Sequence, residues 1–189
     1  TYARAFGADF DGADFSGVSL GCERDAEGAL PINLTNTNFT SANLASVVFT
    51  SFDDEEIISA PCVVRDDLAL ISGTTFSQTN LTGVSMAGLI FEETDLSNAL
   101  LENADMRNAC LRDSSLILTN LKDADLSGAD LSSSALLGAI LLTTRLSGAD
   151  LSNANLSGAN LIGADLSGVE ATDAVFLGVI LGDALNPPR

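Results

Sequence analysis

The side chains able to do chemistry are unevenly supplied. The 189 residues include 26 Asp and Glu against 8 Lys and Arg, three cysteines and no histidine. Without His, neither Ser-His-Asp nor Cys-His catalysis can be assembled, and every imidazole metal ligand is gone. Cys22, Cys62 and Cys110 lack the C-x-x-C spacing of zinc and iron–sulfur sites. Carboxylates remain, and they act in pairs as general acid and base or gather around calcium. Asp105 with Asp125, or Asp130 with Asp150 and Glu170, are the candidate calcium sets. The chain has neither an EF-hand loop nor the glycine-rich nonapeptide of calcium β-rolls. Most of its aspartates also recur at one fixed place in a repeat, which gives them a structural role first. No catalytic residue, metal site or cofactor is expected.

The repeat is plain in "LSGADLSNANLSGANLIGADLSG", residues 146–168, where leucine returns at every fifth position. From Phe76 to Leu181, twenty-two consecutive pentads keep that register, and every centre but Ala171 is Leu, Phe or Met. Two places earlier stands a small or β-branched residue, with Leu89 the exception. Neither ordinary element can use this period. Five steps of about 100° carry each leucine off a helical stripe. In a flat strand, odd spacing throws successive leucines to opposite faces.

The backbone must therefore turn once per pentad. With the central residue called i, side chains i−2 and i face a shared axis and i−1, i+1 and i+2 face out. Small residues at i−2 leave room for the large one at i. Gly, Asn and Ser at i+2 suit a corner, and Asp or Asn at i−1 can bond nearby backbone there. Charge stacking sets the circuit, because coils about 4.8 Å apart favour opposite charges in register. A twenty-residue circuit puts Glu102 under Lys122, Glu92 under Arg112, and Arg145 between Asp125 and Asp165. A fifteen-residue circuit would stack Lys122 on Arg107. Four pentads per coil follows.

Runs such as "ADLSGADLSSS" and "ANLSGANLIGADLSG" resemble the pentapeptide-repeat family, whose motif is A-(D/N)-L-x-x. The resemblance covers most of the chain. It implies an all-β fold, a right-handed quadrilateral β-helix, here of about seven to eight coils with two loop insertions near the N-terminus. A single domain spanning 1–189 is expected. Its first repeats occupy 1–20, an insertion 21–32, further repeats 33–49 and a second insertion 50–70. The main uninterrupted solenoid occupies 71–181 and a tail 182–189. At about 4.8 Å per coil the rod is roughly 35 Å long.

Each insertion holds one cysteine, Cys22 and Cys62. Two readings stand: unrelated thiols on solvated loops, or a Cys22–Cys62 disulfide of an oxidising compartment. Cys110, at an outward i−1 position, would remain a single thiol. Thr1 opens the chain with no basic segment and apolar run behind it, so no targeting peptide is expected in it. The longest apolar or glycine run is 135–142, far short of a membrane span.

The exterior is divided. The faces centred on 86/106/126/146/166 and 91/111/131/151/171 are acidic. The other two, adjacent to each other, carry Leu100, Ile117, Leu118, Leu137, Ile140, Leu142, Ile162, Leu177 and Ile180 pointing outward. Neighbouring exposed apolar residues mark interfaces, so this corner is expected to dock a protein, either part of a membrane-protein complex or a second copy. A net charge of −18 argues against direct binding of nucleic acid through charge. The leading expectation is a non-catalytic scaffold, an accessory or subunit of a larger assembly. The resemblance implies two contexts. Some family members occur in cyanobacteria and in the thylakoid lumen, which an acidic chain with an oxidised cysteine pair would suit. Others imitate DNA and bind DNA gyrase, protecting it from quinolones. The high negative charge suits that alternative, while the C-terminal helical dimer element of those proteins has no counterpart here.

Overall fold

The computed structural model describes residues 8–15, 34, 37–45 and 71–186. The expected insertions, Cys22 and Cys62 among them, lie outside the described residues. The chain winds as a right-handed four-sided β-helix. Its walls are single parallel β-bridges, and from Thr75 on each joins a residue to the one twenty positions later.

The pentad works as the repeat demands. Leu126 N donates to Arg145 O at 2.8 Å and Arg145 N to Ala124 O at 3.0 Å, so each wall bonds the coil above on both strokes. Ala129 N then donates back to Leu126 O at 3.0 Å and closes a turn. The third residue of such a turn, i+2, has positive φ, as a type II turn requires. Gly128 has φ 68°, and the same conformation recurs at Asn98, Asn103, Asn108 and Asn153. The i−1 carboxylate or amide serves the corner too. Asp125 Oδ1 accepts from Ser127 N at 3.0 Å and from Ser127 Oγ at 2.6 Å. The amide bond repeats at Asp130, Asp150, Asn155 and Asp165.

The interior is a ladder. Leu126, Leu146 and Leu166 form one row, each no more than 1% exposed, and the i−2 residues beside them, Ala124, Thr144 and Ala164, are buried as well. Several hydroxylic i−2 residues bond the coil below: Thr119 Oγ1 donates to Leu96 O at 2.7 Å, and Thr144 Oγ1 to Leu121 O at 2.8 Å, whereas Ser134 Oγ bonds Leu131 O of its own turn and Thr94 Oγ1 is buried without a partner among the described residues. Towards the N-terminus the axis is aromatic, and Phe10, Phe39 and Phe76 stack at 5.3 Å between centroids.

The column Asp9–Asn38–Thr75–Asp95 shows that the first turns are in register with the rest although 29 and 37 residues separate successive members. The additional residues fall in stretches outside the described residues. At the other end Leu185 bridges Asp165, so the ladder runs into the stretch read as tail. Ala184 supplies the small inward side chain that lets it do so, and Pro187 and Pro188 follow, which have no N–H to extend it.

Candidate docking surface

Four faces follow in chain order. Face A carries the bridge column 95/115/135/155/175, face B 100/120/140/160/180, face C 105/125/145/165 and face D 90/110/130/150/170. Charge is segregated among them. Between Ala135 and Gly182, faces A and B present no charged side chain, whereas C and D carry Arg145, Asp150, Asp165, Glu170 and Asp173.

The predicted apolar residues fall on A and B. Leu100, Leu118, Leu137, Ile140, Ile162, Leu177 and Ile180 are exposed, while Ile117 and Leu142 are half-buried. Val175 and Leu185 are also exposed, and the sequence reading missed both. Val175 stands at i−1 on face A beside Leu177, so the pentad register alone would have found it.

Leu118 stands out. It occupies i+2, where φ is 57°, and it is 57% exposed. A bulky aliphatic residue in the left-handed region is strained by about 1–2 kcal/mol. The chain thus holds a leucine facing solvent at a position that favours Gly or Asn. Thr143, on the next corner, is a β-branched residue at φ 54°, but its hydroxyl bonds Asp123 Oδ1 at 2.5 Å. Among the described residues Leu118 has no comparable compensation. The signal was in the sequence: Leu118 breaks the Gly/Asn/Ser rule for i+2.

The acidic faces hold their charges by local pairing. Arg107 grips Asp105 with two bonds, Nε to Oδ1 and a terminal nitrogen to Oδ2, both 2.8 Å. Burial pushes the Asp105 carboxyl up, but the Arg107 hydrogen bonds and charge outweigh it and hold it below its usual range. Asp130 is only 4% exposed although it points outward. Burial raises its carboxyl too, yet bonds from Ser132 and Arg112 more than offset this. For Asp165, the Ser167 hydroxyl and amide lower the carboxyl against a small effect of burial. An open depression is lined by Asp105, Arg107, Asp123, Asp125, Thr143 and Arg145. Among the described residues no His, Cys, Asp and Glu group has the geometry to hold a metal ion.

Two expected charge pairs differ in detail. Arg112 bonds Asp130 Oδ2 at 2.7 Å rather than Glu92. Glu102 accepts from Asn120 Nδ2 at 2.7 Å, while Lys122 approaches Asp123 at 3.7 Å. A long cation reaches diagonally as easily as vertically, so stacking fixes its level and not its partner. Arg145 does meet Asp125, at 3.5 Å.

Cys110 also departs from expectation. It is disulfide-bonded rather than a single thiol, and it is fully buried. With three cysteines in the chain, a bridge to Cys110 and the expected Cys22–Cys62 pair exclude each other.

Such a repeating parallel ladder with a filled axis defines a β-solenoid. The family model for pentapeptide repeats matches in 8 copies, over residues 69–98, 79–123, 99–141 and 144–183. The chain belongs to the pentapeptide-repeat family. A trypsin-treated form of QnrB1, a plasmid-mediated fluoroquinolone resistance protein, is similar with a TM-score of 0.52 and 17% identity, over 96% of this chain and 84% of that one. The pentapeptide repeat protein Rfr23 from the cyanobacterium Cyanothece 51142 is 22% identical over 94% of this chain and 90% of its own, with a TM-score of 0.31. A pentapeptide repeat protein of the Arabidopsis thaliana thylakoid lumen is 29% identical over 63% of this chain and 68% of its own, with a TM-score of 0.14. At these identities the likeness concerns the fold alone. None of the curated proteins matches the chain. Among the described residues no helix is long and apolar enough to cross a membrane.

Proposed function

We propose that the chain is a non-catalytic scaffold that docks a protein partner on the corner between faces A and B, as an accessory or subunit of a larger assembly. The observation that carries this reading is Leu118, an exposed leucine kept at a left-handed corner among apolar, charge-free neighbours. Backbone strain that folding does not need points to a use elsewhere. The partner's contacting surface is apolar and weakly charged, because a basic partner would prefer faces C and D.

The test is to purify native complexes with the wild-type chain and with Leu137→Glu/Leu142→Glu. The doubly substituted chain should keep its circular dichroism and lose the co-purifying partner. Retention of the same partner by that variant ends the proposal. A gyrase supercoiling assay addresses the DNA-imitation alternative. Such imitation needs acidic groups distributed around the rod, and two of the four faces lack them over three coils. Inhibition of supercoiling by the pure protein would replace the scaffold reading.

A further inference from the structure

We propose that face B is a self-association surface, on which a second copy of this chain packs antiparallel about a two-fold axis at the level of Ile140. The pairing rests on the reading that the apolar exterior docks, and it names an occupant for half of that exterior. Face A, with Leu137, Val175 and Leu177, stays open to another protein.

The bridge column of face B runs Leu100, Asn120, Ile140, Asn160, Ile180. It is palindromic about Ile140: apolar, Asn, Ile, Asn, apolar. Leu100, Ile140 and Ile180 are exposed, and the two asparagines are half-buried. The asparagines tie their corners, since Asn120 Oδ1 accepts from Lys122 N and Asn160 Oδ1 from Ile162 N, both at 3.2 Å. Leucine or isoleucine at i−1 gives that bond up. The amides of Glu102, Leu142 and Gly182 accordingly have no hydrogen-bond partner among the described residues. Three exposed aliphatic side chains thus stand where the repeat's own polar residues would hold the turn.

A two-fold interface must be self-complementary. Rotation about an axis across face B at the level of Ile140 reverses the column onto itself. Ile140 meets Ile140, Leu100 meets Ile180, and Asn120 meets Asn160 of the second copy. Both copies repeat at the same coil spacing of about 4.8 Å, so the match holds at all five levels. A protein without this repeat has no such register. Asn160 Nδ2 makes no hydrogen bond among the described residues, and it can donate across the interface to the remaining lone pair of Asn120 Oδ1.

The edges of the face agree with this pairing. Leu118 comes to face Gly158 of the second copy, where an added Cβ would meet nothing closer than 4.0 Å. The exposed leucine finds an open ledge. On the other edge Lys122 faces Ile162 and Glu102 faces Gly182, so like charges do not meet there. That condition is strict for a chain of net charge −18, whose faces C and D repel their own kind. A parallel pair would exchange the two edges and set Leu118 against Lys122. The face is four coil spacings long, about 19 Å. A contact this short lies at the low end of specific interfaces, so the dimer exchanges with monomer.

The experiment is sedimentation of the purified chain over a range of concentrations. A mass rising from 19.4 kDa towards twice that value is expected. Ile140→Glu should keep the circular dichroism of wild type and remain a monomer throughout. Wild type that is monomeric at every concentration, or an Ile140→Glu chain that associates like wild type, overturns the proposal. Cross-linking reads the register without relying on that variant. When Asn120→Cys and Asn160→Cys chains are mixed and oxidised, peptide mapping should link position 120 of one to position 160 of the other. Linkage of Asn120→Cys to itself makes the pair parallel and overturns the proposal as well. Because the pure chain is assayed alone, the docking reading is tested separately. A monomeric wild type that still loses its native partner on Leu137→Glu/Leu142→Glu ends the pairing and leaves that reading standing. A wild-type dimer, with the native partner retained by the double variant, does the reverse.

Discussion

Leu118 rests over Gly138 on the coil above: a Cβ added at residue 138 would stand 2.9 Å from Leu118 Cδ2. Both are corner residues, with φ of 57° and 64°. The glycine is the shelf and the leucine the occupant. The same device recurs one corner on, where a Cβ at Gly182 would meet Ile162 Cγ1 at 2.8 Å. On this side of the rod, bare glycines let apolar side chains from the coil below lie flat across the turn. A continuous apolar corner follows from a local steric fit, without any cleft.

Replacing Leu118 by Asn should separate stability from docking. Asn tolerates the left-handed region, so relief of strain contributes about 1 kcal/mol. Loss of the contact over Gly138 takes back part of that gain. Urea unfolding should show the variant equal to or more stable than wild type, while partner capture falls. A clear loss of stability would mean that Leu118 is retained for the fold and not for a partner.

Gly138→Ala should cost about 2 kcal/mol, since it adds a Cβ at positive φ and drives it into Leu118. Gly148→Ala is the control. It has φ 68° and nothing within 4 Å of an added Cβ, so only the conformational cost of about 1 kcal/mol applies. Combining Leu118→Ala with Gly138→Ala should bring the glycine substitution down to the control level. Equal costs for the two single glycine variants, compared by denaturant midpoint, would remove the shelf.

Leu126→Ala should cost about 3 kcal/mol or more, because that side chain is fully buried between coils that cannot collapse inward. Leu181→Ala should cost less than half as much, since Leu181 belongs to the last coil and is only partly buried. Thermal unfolding of the pair checks this. Similar losses at the two sites would mean that the open end of the axis is covered in solution.

How much of this could be read from the residues depends on how local the cause is. The axis, the circuit and the inward threonines of the pentad are set by steric rules that act at every repeat, so Leu146 and Leu166 announce their own positions. Leu118 announced itself as apolar, while its strain appears only once the i+2 corner is known to be left-handed. The pairing of Arg112 with Asp130 was hidden, because a flexible guanidinium can reach diagonally to a neighbouring column as well as along its own. Cys110 was hidden for another reason. Its bond depends on chain that does not follow the repeat, and a register says nothing about residues that leave it.

Acid should weaken the fold through Asp105, Asp130 and Asp165, whose carboxyls all lie below their ordinary value in the folded chain. A depressed folded pKa means that the unfolded chain binds protons first, so stability rises with pH across that interval. The contribution is complete above the unfolded value of about 3.9 and disappears as pH falls through the lower folded values. Urea midpoints should therefore be level from about pH 7 to 5 and decline steeply below about pH 4. Asp130 has the sharpest test because Arg112 Nε lies 2.7 Å from its Oδ2. Arg112→Ala leaves burial unopposed by that cation and should move the Asp130 carboxyl resonance to titrate at higher pH. An unmoved Asp130 titration in that variant would show that bonds other than the Arg112 pair keep the carboxylate ionised, and that the ion pair adds nothing to stability in acid.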